Sequence, residues 1–89
     1  MTVWFRVYGH LNTSISALRR GRRFMTALRR GCSVGEAILT IGVPRQEVDL
    51  VVVNGTPVTF THALSDGDQV AVYPCFHSID LGDVVRAGG

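Results

Sequence analysis

Residues 48–74 read Val48-Asp-Leu-Val-Val-Val-Asn-Gly-Thr-Pro-Val-Thr-Phe60, then Thr61-His-Ala-Leu-Ser-Asp-Gly-Asp-Gln-Val-Ala-Val-Tyr-Pro74. The apolar run Val48 to Val53 stops at Asn54-Gly55, a dipeptide that tolerates the positive φ required by two-residue hairpin turns. Such an unbroken run predicts a strand buried on both faces or lying under a helix. Val58 and Phe60 mark the returning strand. Pro57, which has no N–H for a ladder, places that strand at a sheet edge. A second turn at Asp66-Gly67-Asp68 opens a further strand, Gln69 to Tyr73, which Pro74 ends.

Upstream, Ser33-Val-Gly-Glu36 has the spacing of a capping box, in which a hydroxyl and a carboxylate satisfy each other's backbone N–H. It predicts a helix from about Val34 to Ile41, stopped at Gly42 with Pro44 just beyond. Ile38, Leu39 and Ile41 are its expected core face, with Ala37 where backbones approach. Val3 to Tyr8 is rich in β-formers and reads as the first strand. A polar, Gly-punctuated excursion, Asn12 to Arg23, leads to a second strand near Phe24 to Leu28. The order ββαβββ places a crossover helix on one face of a mixed sheet of about five strands, an α+β fold. Residues 3–74 are expected to form this domain and 75–89 a C-terminal extension. Phe76, Ile79, Leu81, Val84 and Val85 stay apolar after the sheet is complete, which marks the extension as a docking tail.

Eighty-nine residues with 46% hydrophobic content support one folded domain. No apolar run approaches the roughly 20 residues of a membrane helix, so no membrane association is expected. Met1-Thr-Val-Trp-Phe-Arg-Val-Tyr8 lacks the basic and apolar blocks of a signal peptide, and a cytoplasmic location is expected. Cys32 and Cys75 fit that compartment, being too few and too far apart for a disulfide framework.

Charge is divided along the chain. Residues 1–35 hold seven Arg and no acid, whereas residues 36–89 hold seven acids and two Arg, which sums to the net +2. Lys is absent. High-GC codon usage accounts for the missing Lys but not for the segregation. Arg19, Arg20, Arg22 and Arg23 surround Gly21, and Arg29 and Arg30 follow. These planar forks suit carboxylate or phosphate recognition. Gly21 excludes a helix, so the side chains are expected to project from a loop or strand end. Only Phe24 interleaves with them, which is weak support for base stacking. Trp4 and Phe60 read as core. His10, His62 and His77 have no carboxylate or Cys partner near them in sequence. Cys32 sits where a helix N-terminus favours thiolate, yet with no evident base it reads as a small buried residue. No catalytic carboxylate pair, phosphate loop or metal-ligand cluster is legible, so no enzyme activity, cofactor or metal is expected.

The Val53-Asn-Gly hairpin, the Leu64-x-Asp-Gly-Asp68 turn and the Gly88-Gly89 pair resemble the sulfur carriers of molybdopterin and thiamine synthesis, which are ubiquitin-like β-grasp proteins. Those carriers place only a few residues between the last strand and the di-glycine. Here thirteen, Cys75 to Ala87, intervene. A wider likeness spans about residues 3–82. Phe5-Arg-Val-Tyr-Gly-His-Leu-Asn12, the Arg-rich segment, Gly42 to Phe60 and Asp66 to Asp80 resemble the ubiquitin-like domain that precedes PIN-type RNases of the Mut-seven C-terminal family. The chain departs from the fused pattern by reaching Gly89 without a nuclease. The resemblance then implies a non-catalytic, antitoxin-like module that binds and inhibits a separately encoded PIN-type RNase. Arg19, Arg20, Arg22, Arg23, Arg29, Arg30, Phe76, Ile79 and Leu81 are its candidate contact residues. Two alternatives remain: a sulfur carrier acting through Gly88 and Gly89, and a module that feeds RNA to the nuclease through the Arg cluster.

Overall fold

Val3, Phe5 and Val7 alternate inward along strand β1 (Thr2–Val7) and are almost wholly buried, as a half-buried strand requires. The computed structural model describes residues 1–75; Phe76, Ile79, Leu81 and the Gly88-Gly89 pair lie outside the described residues. Within these bounds follow β2 (Phe24–Ala27), α1 (Val34–Thr40), β3 (Val48–Val53), β4 (Thr56–Val58) and β5 (Gln69–Pro74). The strands form one mixed sheet in the order β2-β1-β5-β3-β4. Strand β1 runs parallel to β5, pairing Phe5 with Val70, and antiparallel to β2, pairing Phe5 with Phe24. The remaining pairs, β3 with β5 and β3 with β4, are antiparallel. The parallel pairing requires a crossover, which the stretch carrying α1 supplies.

At seven residues, α1 is shorter than an isolated helix needs to be stable, so its ends and its packing must hold it. The Ser33 Oγ accepts from the Glu36 N–H at 3.2 Å, and Glu36 Oε1 accepts from the Ser33 N–H at 3.2 Å. Val34 and Gly35 donate their N–H groups to the carbonyls of His62 and Phe60 at 2.9 and 2.8 Å. Helix donors that would otherwise lack partners are thereby satisfied. At the other end Gly42 has φ +96°, and Val43 donates to Ile38 while Gly42 donates to Leu39, closing the helix in a Schellman motif. Val34, Ala37, Ile38 and Ile41 face the sheet and are buried, each larger one contributing about 1.5–3 kcal/mol.

Three sequence expectations change here. Leu39 is 56% exposed, because the i, i+3, i+4, i+7 stripe from Val34 to Ile41 is already full and position 39 turns away from it. Strand β3 is buried on one face only, with Leu50 exposed and Val52 half-buried. A register irregularity between Val48 and Leu50 turns Val48 inward. Strand β4 ends at Val58, and the Phe60 carbonyl serves the helix start instead of a ladder.

The hairpin turn and the β5 turn are fastened together. Asn54 takes φ +51° and Gly55 φ +83°, the double positive φ of a type I′ turn. The Asn54 side chain donates to Asp68 Oδ1 at 2.9 Å and accepts from the Gln69 N–H at 2.9 Å. Asp66 Oδ1 accepts from the Thr2 N–H at 2.7 Å, and the Trp4 N–H donates to the Asp68 carbonyl at 2.8 Å. The acids of the second turn therefore serve to hold the sheet.

Candidate functional site

The basic residues of the excursion emerge from a loop whose shape depends on Asn12. Its side-chain amide donates to the Val7 and Gly9 carbonyls at 3.0 Å, and its Oδ1 accepts from the Gly21 N–H at 2.9 Å. Gly21 sits at φ +68°, so the chain reverses there without side-chain strain. Arg20 turns back onto the loop, its Nε donating to the Asn12 carbonyl at 2.8 Å and the Ile15 carbonyl at 3.2 Å. The Arg19 guanidinium lies over the Phe24 ring at 4.8 Å and that of Arg23 over Trp4 at 4.4 Å. Arg22 is exposed and makes no hydrogen bond or ion pair among the described residues. None of these four guanidiniums meets a carboxylate there.

Arg29 and Arg30 stand apart from that group. Arg29 is paired with Glu36 at 2.5 Å, so it is not among the unneutralised cations. Arg30 is exposed beside a hollow of about 420 Å³ shared with Met1, Leu64 and Asp66. The Arg29 guanidinium, followed by the Ser33 N–H and hydroxyl, holds the Glu36 carboxyl below its ordinary range. A carboxyl lowered in the folded state stabilises the fold above its unfolded pKa, and that contribution is lost as pH falls through the folded value. Glu36→Gln should therefore lower the urea midpoint at about pH 7, and the difference from the parent should close by about pH 2.5. A difference that persists in acid would assign the loss to the cap geometry rather than to the charge.

On the helix-free face of the sheet, residues distant in sequence come together. Strand register sets Trp4 between Met25 and Gln69, Arg6 beside Ala71, and Leu50 opposite Tyr73. Tyr8 and Tyr73 stack with ring centroids 4.6 Å apart and planes 5° apart. Burial and the adjacent Tyr8 phenol push the Tyr73 hydroxyl above its ordinary pKa. The Arg6 guanidinium lies 5.4 Å from the Tyr8 ring centre. Between these groups a hollow of about 150 Å³ is lined by Trp4, Arg6, Tyr8, Arg23, Gln69 and Ala71. Asp49 turns to the other side, with Val51 and Val58, so among the described residues the strands place no acid on this face.

Trp4 is therefore not core, as its sequence context implied. It is half-buried on the opposite surface, under an Arg nineteen positions later. Phe60 packs against the core beneath the Arg45 guanidinium, 4.8 Å from the ring centre. His10 does have a carboxylate partner, Glu47 at 3.3 Å, brought to it by tertiary contact alone. Cys32 is buried, and burial first, then Glu36, raises its thiol pKa, the reverse of a helix-end thiolate. Among the described residues no group of three or more His, Cys, Asp or Glu could hold a metal ion. No helix there is long and apolar enough to cross a membrane.

The model of the family described as Mut7-C ubiquitin matches residues 1–80. No curated protein matches the sequence. Among solved structures, the chain resembles SAMP1 from Haloferax volcanii at 17% identity and TM-score 0.62, covering 84% of this chain and 96% of that one. It also resembles a protein described as molybdopterin converting factor, subunit 1, from Pyrococcus furiosus. That match has 24% identity and TM-score 0.62, covering 82% of this chain and 95% of the other. Both likenesses show the ubiquitin-like β-grasp fold.

Proposed function

This chain belongs to the Mut7-C ubiquitin family, and from that premise we propose that it is a non-catalytic module that docks on a PIN-type RNase and restrains it. One observation carries the reading. The loop from Arg19 to Arg23 presents guanidiniums that no carboxylate meets among the described residues. PIN nucleases, as a class, gather carboxylates around a divalent metal, and an empty cluster of that kind is a strong anionic field. Guanidinium forks entering it form charge-assisted, bidentate bonds and displace the metal without doing chemistry. Arg22, with no partner to lose, is the best placed to enter. Arg19 and Arg23 can leave their rings for about 0.5–1 kcal/mol each, the strength of an exposed cation–π contact. Arg20 is needed by its own loop.

The test mixes the domain with a cognate PIN-type RNase and measures cleavage. Arg19→Glu/Arg22→Glu should inhibit about 30-fold more weakly than the parent, since stranding a buried charge partner costs about 2 kcal/mol or more. Unchanged inhibition by a folded double variant would refute the plug. A second reading, a sulfur carrier, draws on the fold shared with the molybdopterin converting factor subunit and on Gly88-Gly89. Intact-mass spectra of the protein from its native host should then show the oxygen-to-sulfur increment of a thiocarboxylate. Under the docking reading that increment is absent.

A further inference from the structure

We propose that the helix-free sheet face binds a single-stranded nucleic acid, its bases stacking on Trp4 and on the Tyr8–Tyr73 pair and its phosphates taken by Arg6 and Arg23. The inference concerns a different ligand from nuclease docking and a sheet face that shares Arg23 with the docking loop, and it stands whether or not that docking occurs.

Sequence order hides this surface. The residues lie on β1, on β5 and just ahead of β2, and only the β2-β1-β5 order brings them side by side. Trp4 and Tyr8 are four residues apart on one side of the chain, which separates two ring stations by about 13 Å at the rise of an extended strand. The hollow between them, about 150 Å³, is a space for one planar group. Ala71, paired with Arg6, and Gln69, paired with Trp4, both line it. At each station a guanidinium already faces a ring, Arg23 at Trp4 and Arg6 at Tyr8. A strand of nucleotides can replace each weak guanidinium–ring contact with two stronger ones, a base against the ring and a phosphate against the guanidinium.

Charge complementarity selects the occupant. Arg6 on β1 and Arg23 just ahead of β2 put two cations on this face, the described strands put no acid there, and Arg22 lies just before Arg23, so a polyanion is attracted. An acidic protein segment would satisfy the guanidiniums but would leave Trp4 and the Tyr pair without planar partners. A nucleic acid supplies both in every repeating unit, which is how sequence-tolerant single-strand sites are built.

Trp4 is the only Trp in the chain, so its fluorescence reports on this face alone. The intact chain is titrated at low salt with an oligouridylate and an oligothymidylate of about ten nucleotides, each end-labelled for anisotropy. Saturable quenching of Trp4 is expected with at least one probe, and comparing the two shows whether the RNA or the DNA strand is preferred. Trp4→Leu and Tyr73→Leu should each weaken binding about 5-fold to 150-fold, the worth of one stacked base. Trp4→Phe, which keeps a ring, should retain most of the affinity. Arg6→Ala and Arg23→Ala should each flatten the log affinity against log salt slope by about 0.7. Three results overturn the proposal: no binding by either probe, binding indifferent to the loss of both rings in folded variants, or ring variants that abolish capture of a PIN-type RNase while leaving oligonucleotide affinity unchanged. The last would identify the face as a protein-docking surface.

Discussion

Alanine at Phe5 should cost about 3–5 kcal/mol and leave much of the population unfolded at room temperature. Phe5 is wholly buried at the middle of β1. Its ring stacks on that of Phe24, with centroids 5.9 Å apart, and its backbone is matched with Phe24 on one side and Val70 on the other. Removing the ring opens a cavity between three adjacent strands and the helix, where β pairing prevents collapse. A small domain has about 5–15 kcal/mol in total and tends to the low end of that range, so one such loss is decisive. Phe5→Leu keeps most of the volume and should cost under about 1.5 kcal/mol. Urea unfolding followed by far-ultraviolet circular dichroism separates the two. If the alanine variant keeps a midpoint close to the leucine variant, β1 is not the centre of the core.

Valine at Gly42 should be nearly as damaging, about 2–5 kcal/mol, through backbone strain and steric conflict together. Gly42 ends α1 at φ +96°, where a β-branched residue is a genuine outlier. A Cβ there would stand 2.9 Å from the Ser14 carbonyl oxygen, closer than real contacts allow. That oxygen belongs to the basic excursion's own backbone, so relief must come from moving either the helix end or the loop. The variant should therefore lose stability and also loosen the segment that carries Arg19 to Arg23. Amide hydrogen exchange in residues 15–23, compared with the parent, measures the second effect. Unchanged protection there, with lower global stability, would mean that the helix end alone yields.

Local chemistry made most of the fold legible. Ser33 and Glu36 cap each other three residues apart, Asn54-Gly55 closes a two-residue hairpin, and Gly42 followed by Pro44 ends a helix. Each is decided by neighbours in the chain, so each can be read without knowing the rest. What failed to read was decided by the other side of the sheet. A strand with one covered face and an apolar residue on its open face looks in sequence like a strand covered twice, which misplaced Trp4, Leu50 and Val52. The basic loop was visible as a charge pattern. The ring platform beside it was not, because Tyr8 and Tyr73 are far apart in sequence and meet only through a parallel pairing. The carboxylate partner of His10 was hidden for the same reason, while that of Arg29 lay within the capping box already read for another purpose.

The same parallel pairing dictates an order of events during synthesis. Phe5 emerges from the ribosome sixty-five residues before Val70, its ladder neighbour. At about 5–20 residues per second, that delay is roughly 3–13 s. Throughout it β1 has only the short β2 beside it and nothing to fill its other edge. The β3–β4 hairpin, closed by two residues, can form in microseconds once made, yet it has no β5 to join it to the first pair. The domain assembles as two halves that wait for one last strand. Chaperones and proteases therefore meet β1 as an unsatisfied apolar edge long before they meet a native surface, and any shortage of help for the nascent chain falls on β1 first.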